Sequence, residues 1–156
     1  VKIVLLQIGK TTESYLREGV QLYVKRLDNY VPFEVKTLPE LKNASSLSTD
    51  QQRTAESKLI LEALPPSSFL VLLDEVGNEY TSVEFAGFVQ QQMLRSIKCM
   101  VFVIGGPYGF SEAVYKKANA KVALSKMTFS HQMVRLVFME QLYRAMTILK
   151  NEPYHH

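Results

Sequence analysis

Apolar residues recur along this chain with two alternating periods. Val1–Ile8 is almost continuously apolar and predicts a first strand. Over Thr12–Leu27, Tyr15, Leu16, Val20, Tyr23, Val24 and Leu27 fall at helical spacing and predict an amphipathic helix. Tyr30–Leu38 predicts a second strand, with Val31, Phe33 and Val35 on one face. After the polar, serine-rich loop Asn43–Ser48, the pair Ser48 and Gln51 matches a capping box and opens a helix to about Leu64. Pro65-Pro66 ends that helix, because proline cannot donate to the helical ladder.

The second half repeats the alternation. Phe69–Asp74 is a continuous apolar run, as expected of a strand buried on both faces. Gly77-Asn78 predicts a turn, and Thr81 with Glu84 a second capping box for a helix to about Ser96. Lys98–Ile104 predicts another buried strand, broken by Gly105-Gly106-Pro107-Tyr108-Gly109. Ser111 can cap a short helix to about Ala118, and Lys121–Leu124 predicts a last short strand. A long helix, His131 to about Lys150, precedes the tail Asn151–His156. Strand and helix alternate with no repeat and no linker. The expectation is a single α/β domain over residues 1–156, a mostly parallel sheet with helices on both faces.

Composition narrows the class. The 156 residues are 47% hydrophobic and 21% charged, which excludes a disordered chain. Cys99 is the lone cysteine, so an internal disulfide and a multi-cysteine metal site are both excluded, and its apolar setting predicts a buried, reduced thiol. The three histidines have no ligand spacing of the usual kind, so no metal is expected. No apolar run approaches the roughly twenty residues of a membrane span, and Val1–Ile8 is too short for a signal peptide. These features predict a cytoplasmic protein without a membrane partner.

Charge matters by position. The formal net charge is +3, yet residues 111–156 hold seven basic and three acidic side chains, while the rest of the chain is slightly acidic. Such an excess suits either a nucleic-acid-facing surface or a solvated helix face. In helix His131–Lys150, Val134, Val137, Phe138, Leu142, Ala145, Ile148 and Leu149 form an apolar stripe wider than one sheet face needs. A second copy of the chain is the expected cover. Arg135 and Arg144 lie off the stripe.

Open α/β sheets bind ligands at the carboxyl ends of their strands. Three ends stand out: Leu72–Glu75, Ile104–Gly109 and Leu124–Phe129. The glycine segment fits neither a P-loop nor a G-x-G-x-x-G fingerprint. The residues alone leave it as a ligand cradle or a structural turn. Met127 and Phe129 either close over a flat apolar group or pack back on the core. Pro153–His156 is either a frayed end or part of a site.

Taken together, Phe102–Gly106, Gly109, Leu124–Phe129, His131-Gln132, Arg135, Glu140–Ala145 and Pro153-Tyr154-His155 resemble the ribosomal RNA large-subunit methyltransferase H family. These are small SPOUT-class (α/β-knot) enzymes that methylate N3 of a pseudouridine in 23S rRNA. The likeness covers essentially the whole chain. It implies a deep C-terminal trefoil knot, an exception to the unknotted rule. It also implies a homodimer acting on the assembled ribosome, with S-adenosylmethionine as cofactor. Leu73, Gly105, Leu124, Ser125, Lys126, Met127, Thr128 and Phe129 would hold that cofactor. The tail of one subunit would enter the site of the other, making His155, Tyr154 and Arg144 the catalytic candidates. His155 is the expected base, Arg144 or Tyr154 the stabiliser of the carbonyl oxygens, and His131 a cap or an orienter of the cofactor loop. The chain departs from the family pattern at His156, where relatives carry arginine or lysine, and at Ser130, where they carry proline.

Overall fold

A computed structural model describes residues 1–156. The elements are β1 (Lys2–Ile8), α1 (Ser14–Asp28), β2 (Phe33–Leu38), α2 (Thr49–Ala63), β3 (Phe69–Glu79), α3 (Ser82–Met93), β4 (Cys99–Ile104), α4 (Glu112–Lys117), β5 (Ala120–Ala123) and α5 (Met133–Leu149). All five strands join one parallel sheet in the order β2-β1-β4-β3-β5. The α/β architecture expected from the alternating periods is therefore present.

Strand periodicity explains the layers. Ile3, Leu5, Val71, Met100 and Phe102 face one side, where Phe85, Val89, Phe138 and Leu142 from α3 and α5 complete a core. Val4, Leu6, Leu70, Leu72, Val101 and Val103 face the other side against Ile60 of α2 and Val114 of α4. Every residue of β4 is buried, as a central parallel strand requires. Cys99 is buried and free. Both expected capping boxes form, with Ser48 accepting from the Gln51 N–H and Thr81 from the Glu84 N–H.

Five expectations need correcting. Gly77-Asn78 does not turn the chain: β3 runs on to Glu79. Val122 of β5 is in register with both Leu73 and Asn78, so residues 74–77 leave the ladder and return to it. Gly77 makes the return possible, because a Cβ there would sit 2.7 Å from the backbone of Lys121 and Val122. Ser111 stands at the N-cap of α4 but makes no side-chain cap bond, and its hydroxyl is buried without a partner.

Helix α5 begins two residues later than expected. Ser130 Oγ accepts from the Met133 N–H at 3.1 Å, which leaves His131 and Gln132 in a turn ahead of the helix. Gln132 then ties down the loop after β1, accepting from the Thr12 N–H and donating to the Lys10 carbonyl. Arg135 is not on an open face. It is 2% exposed and donates to the Ile8 carbonyl and Thr11 Oγ1. Phe138 belongs to the intramolecular core and not to an outer face, fully buried with its ring 4.8 Å from that of Phe102.

Truncating Phe138 leaves a cavity under the sheet, and removing the Ser48 hydroxyl orphans one helix N–H. Phe138→Ala is expected to cost about 3–5 kcal/mol and Ser48→Ala about 1 kcal/mol. Urea denaturation of the two variants against the parent chain checks both the values and their order.

Candidate active site

Parallel strands deliver all their carboxyl ends to one edge of the sheet. There the segments after β3, β4 and β5 surround a cavity of about 390 Å³, within the size range of small-molecule sites. Leu73, Gly105, Leu124, Ser125, Met127, Thr128 and Phe129 all line it. Lys126 does not: it is exposed outside the lining. His131 joins the wall because the late start of α5 leaves it in the turn. Burial, and then the neighbouring Arg135 charge, push its pKa down and favour the neutral ring.

The glycine segment is shaped from both sides. A Cβ on Gly105 would meet the Phe110 ring at 3.0 Å, and one on Gly106 would fall onto the carboxylate oxygens of Glu56. Gly109 adopts φ +76°, a left-handed conformation that suits glycine. Glu56 is 5% exposed, burial raises its pKa, and its Oε1 has no hydrogen-bond partner. This loop therefore rests on a buried carboxyl that the sequence pattern did not single out.

The excursion of residues 74–77 adds Asp74, Glu75 and Val76 to the wall. Tyr115 Oη donates to Asp74 Oδ2 at 2.5 Å, and burial together with that bond pushes the phenol up to about 12. Thr128 Oγ1 donates to Glu75 Oε1 at 2.8 Å and so links the β3 and β5 segments across the opening. Val76 and Met127, 72% and 79% exposed, also belong to the lining. The walls thus combine apolar surface, a backbone cradle without side chains and two carboxylates. That set fits a ligand with a flat ring and a positive charge.

The tail candidates meet one another but not this cavity. Arg144 donates to Glu140 Oε1 at 2.8 Å and contacts His155 Nδ1 at 3.1 Å. Tyr154 Oη donates to the same Glu140 oxygen at 3.0 Å, and the Arg144 guanidinium lies 4.8 Å from the Tyr154 ring centroid. An arginine only donates, so Nδ1 of His155 is the acceptor and the neutral ring carries its proton on Nε2. The pKa of Tyr154 is raised, first by its bond to Tyr23, then by burial and by Glu140. The Glu140 bond likewise raises that of Arg144. None of Arg144, Tyr154 and His155 lines the cavity of its own chain. The strand-end candidates and the tail candidates are two separate clusters.

A family described as predicted SPOUT methyltransferase matches residues 1–155. The chain is 56% identical over 156 residues to a Parabacteroides distasonis protein named ribosomal RNA large subunit methyltransferase H, covering 100% of this chain and 99% of that one. A Cytophaga hutchinsonii protein of the same name is 56% identical over 156 residues, with 100% of both chains covered. A Porphyromonas gingivalis protein, again of that name, is 54% identical over 156 residues, with 100% and 99% covered.

The contact between Gly106 and Glu56 yields a test independent of any ligand. Gly106→Ala is expected to destabilise by about 1–3 kcal/mol through overpacking. Adding Glu56→Ala should recover most of that loss, because it vacates the space the new methyl needs. Additive losses in a double-mutant denaturation cycle would place the strain elsewhere.

Proposed function

The chain belongs to the SPOUT methyltransferase family, and from that membership we propose that it methylates N3 of a pseudouridine in 23S rRNA of the assembled ribosome. In this reading S-adenosylmethionine is the methyl donor and the active form is a homodimer. The observation that carries the reading is the convergence of the β3, β4 and β5 ends on one cavity whose walls fit that donor. The surplus of basic residues in 111–156 suits a polyanionic substrate. A trefoil-knotted chain path belongs to the same reading, supported by the family membership.

The donor supplies a methyl group already activated on a sulfonium. The chain's own task is to orient that methyl towards N3. Leu73, Gly105, Leu124, Ser125, Met127, Thr128 and Phe129 form the cradle, and Val76 and Met127 are exposed apolar members of the lining. Lys126, exposed outside the lining, is available to a polyanionic substrate. His131, on the cavity wall, orients the loop ahead of α5.

Arg144, Tyr154 and His155 of one protomer complete the cavity of its partner. Their separation from the cavity of their own chain supports this arrangement, as do Val76 and Met127, apolar residues that need a cover. With Arg144 donating to Nδ1, His155 offers its Nε2–H to a carbonyl oxygen flanking N3. That bond stabilises the negative charge left on the base when the N3 proton passes to water. For His155 itself to take the proton at Nδ1, Arg144 must first release it.

Deleting residues 153–156 should separate the two clusters. Transfer of tritiated methyl to ribosomes from cells lacking the modification is expected to fall by about a hundred- to a thousandfold. Calorimetric affinity for S-adenosylmethionine should be unchanged. Unchanged turnover in the truncated protein would remove the tail from the site. Absence of any binding by the full chain would overturn the cofactor and favour a protein that binds RNA without the reaction.

A further inference from the structure

The charged lining of the cavity is one-sided. Asp74 and Glu75 are its only formally charged residues; no lysine or arginine lines it, and its one histidine is His131. Neither carboxylate is neutralised, since the four ion pairs of the chain use Glu34, Asp50, Glu112 and Glu140. Lys126 is exposed outside the lining, and three further cations have other engagements. Arg53 is held by Asp50 and the Tyr108 carbonyl, Arg135 by Thr11 and Ile8, and Lys121 lies over the Tyr115 ring.

Both carboxylates are also fixed in place. Asp74 is half-buried, with Oδ2 accepting from Tyr115 and Oδ1 from the Val76 N–H at 3.3 Å. Glu75 is more exposed and is held by Thr128. Two anchored negative charges on one wall of a cavity favour a cation there, and burial strengthens the effect.

We propose that Asp74 and Glu75 make this cavity selective for the charged, methylated form of the donor over its demethylated product. This rests on the S-adenosylmethionine reading given above. The two forms share their adenosine, ammonium and carboxylate groups and differ by one methyl and one positive charge. Transfer of the methyl to N3 breaks its bond to sulfur and leaves a neutral thioether, while the N3 proton goes to solvent. The carboxylates then lose the charge they attract, so the step that completes the reaction also loosens the spent donor. Asp74 carries more of this selectivity than Glu75, because it is less exposed and more firmly held.

The test compares three ligands by calorimetry: S-adenosylmethionine, S-adenosylhomocysteine, and an analogue with a protonated amine in place of the sulfonium. Asp74→Asn keeps the shape and an acceptor for Tyr115. It is expected to weaken the two cationic ligands on the order of tenfold while changing the neutral product less than about twofold. Glu75→Gln should shift the same ratio by less, and it serves also if Asp74→Asn does not fold. Retained binding of the neutral product shows that the cavity is intact. Equal weakening of all three ligands, or an unchanged ratio in both variants, overturns the selectivity while leaving the cofactor reading in place. Failure of the unaltered protein to bind any of the three overturns the cofactor reading, and the selectivity with it.

Discussion

Val122 is in register with Leu73 and again with Asn78, and the rest of the site depends on that double registry. Four residues of β3 must leave the ladder between the two contacts, and they leave at its carboxyl end. Gly77 allows the return because the backbone of β5 passes too close for any side chain. The excursion turns Asp74, Glu75 and Val76 into a wall, and it brings Glu75 to Thr128 on the segment that follows β5. Without the second contact β3 would end at Leu73, and the cavity would lack its acidic side.

The same geometry marks the limit of what the sequence shows. Strands and helices were legible because both sheet faces are buried, so apolar runs and helical stripes carry strong signals. Both capping boxes were legible because a serine or threonine followed three residues later by glutamine or glutamate has a local cause. Gly77-Asn78 misled because glycine serves a turn and a close approach equally well, and only the position of β5 decides between them. Arg135 misled for a similar reason. Its charge suggests solvent, but the Ile8 carbonyl and Thr11 hydroxyl that satisfy it lie more than 120 residues away in sequence. Phe138 was read as an outward contact, since a stripe on a helix does not reveal that α1 and α3 flank it on the same sheet face.

At the site, the strand-end candidates were legible as positions and less so as chemistry. Leu73, Gly105 and the residues after β5 meet as the resemblance implied, with Lys126 outside. Glu56 was missed because it lies on α2, on the opposite side of the sheet from α5, and touches the glycine segment from behind. Asp74 was visible as the end of an apolar run. Its anchor, Tyr115, sits on a six-residue helix whose register nothing in the local pattern fixes.

The distribution of charge links the cavity to the proposed substrate. A polyanion is attracted by cations, yet a cationic donor is repelled by them, so one protein that handles both must keep the two fields apart. Here the cavity wall carries carboxylates, while the basic surplus of residues 111–156 lies outside it, Lys126 included. In the tail cluster Arg144 spends part of its charge on Glu140 through Nη2 and turns Nη1 to His155. In the proposed homodimer, an arginine held in this way would meet the partner's cavity as a directed hydrogen-bond donor with a muted charge. On the proposed reading, that arrangement would let the tail approach the cavity without expelling a cationic donor bound there.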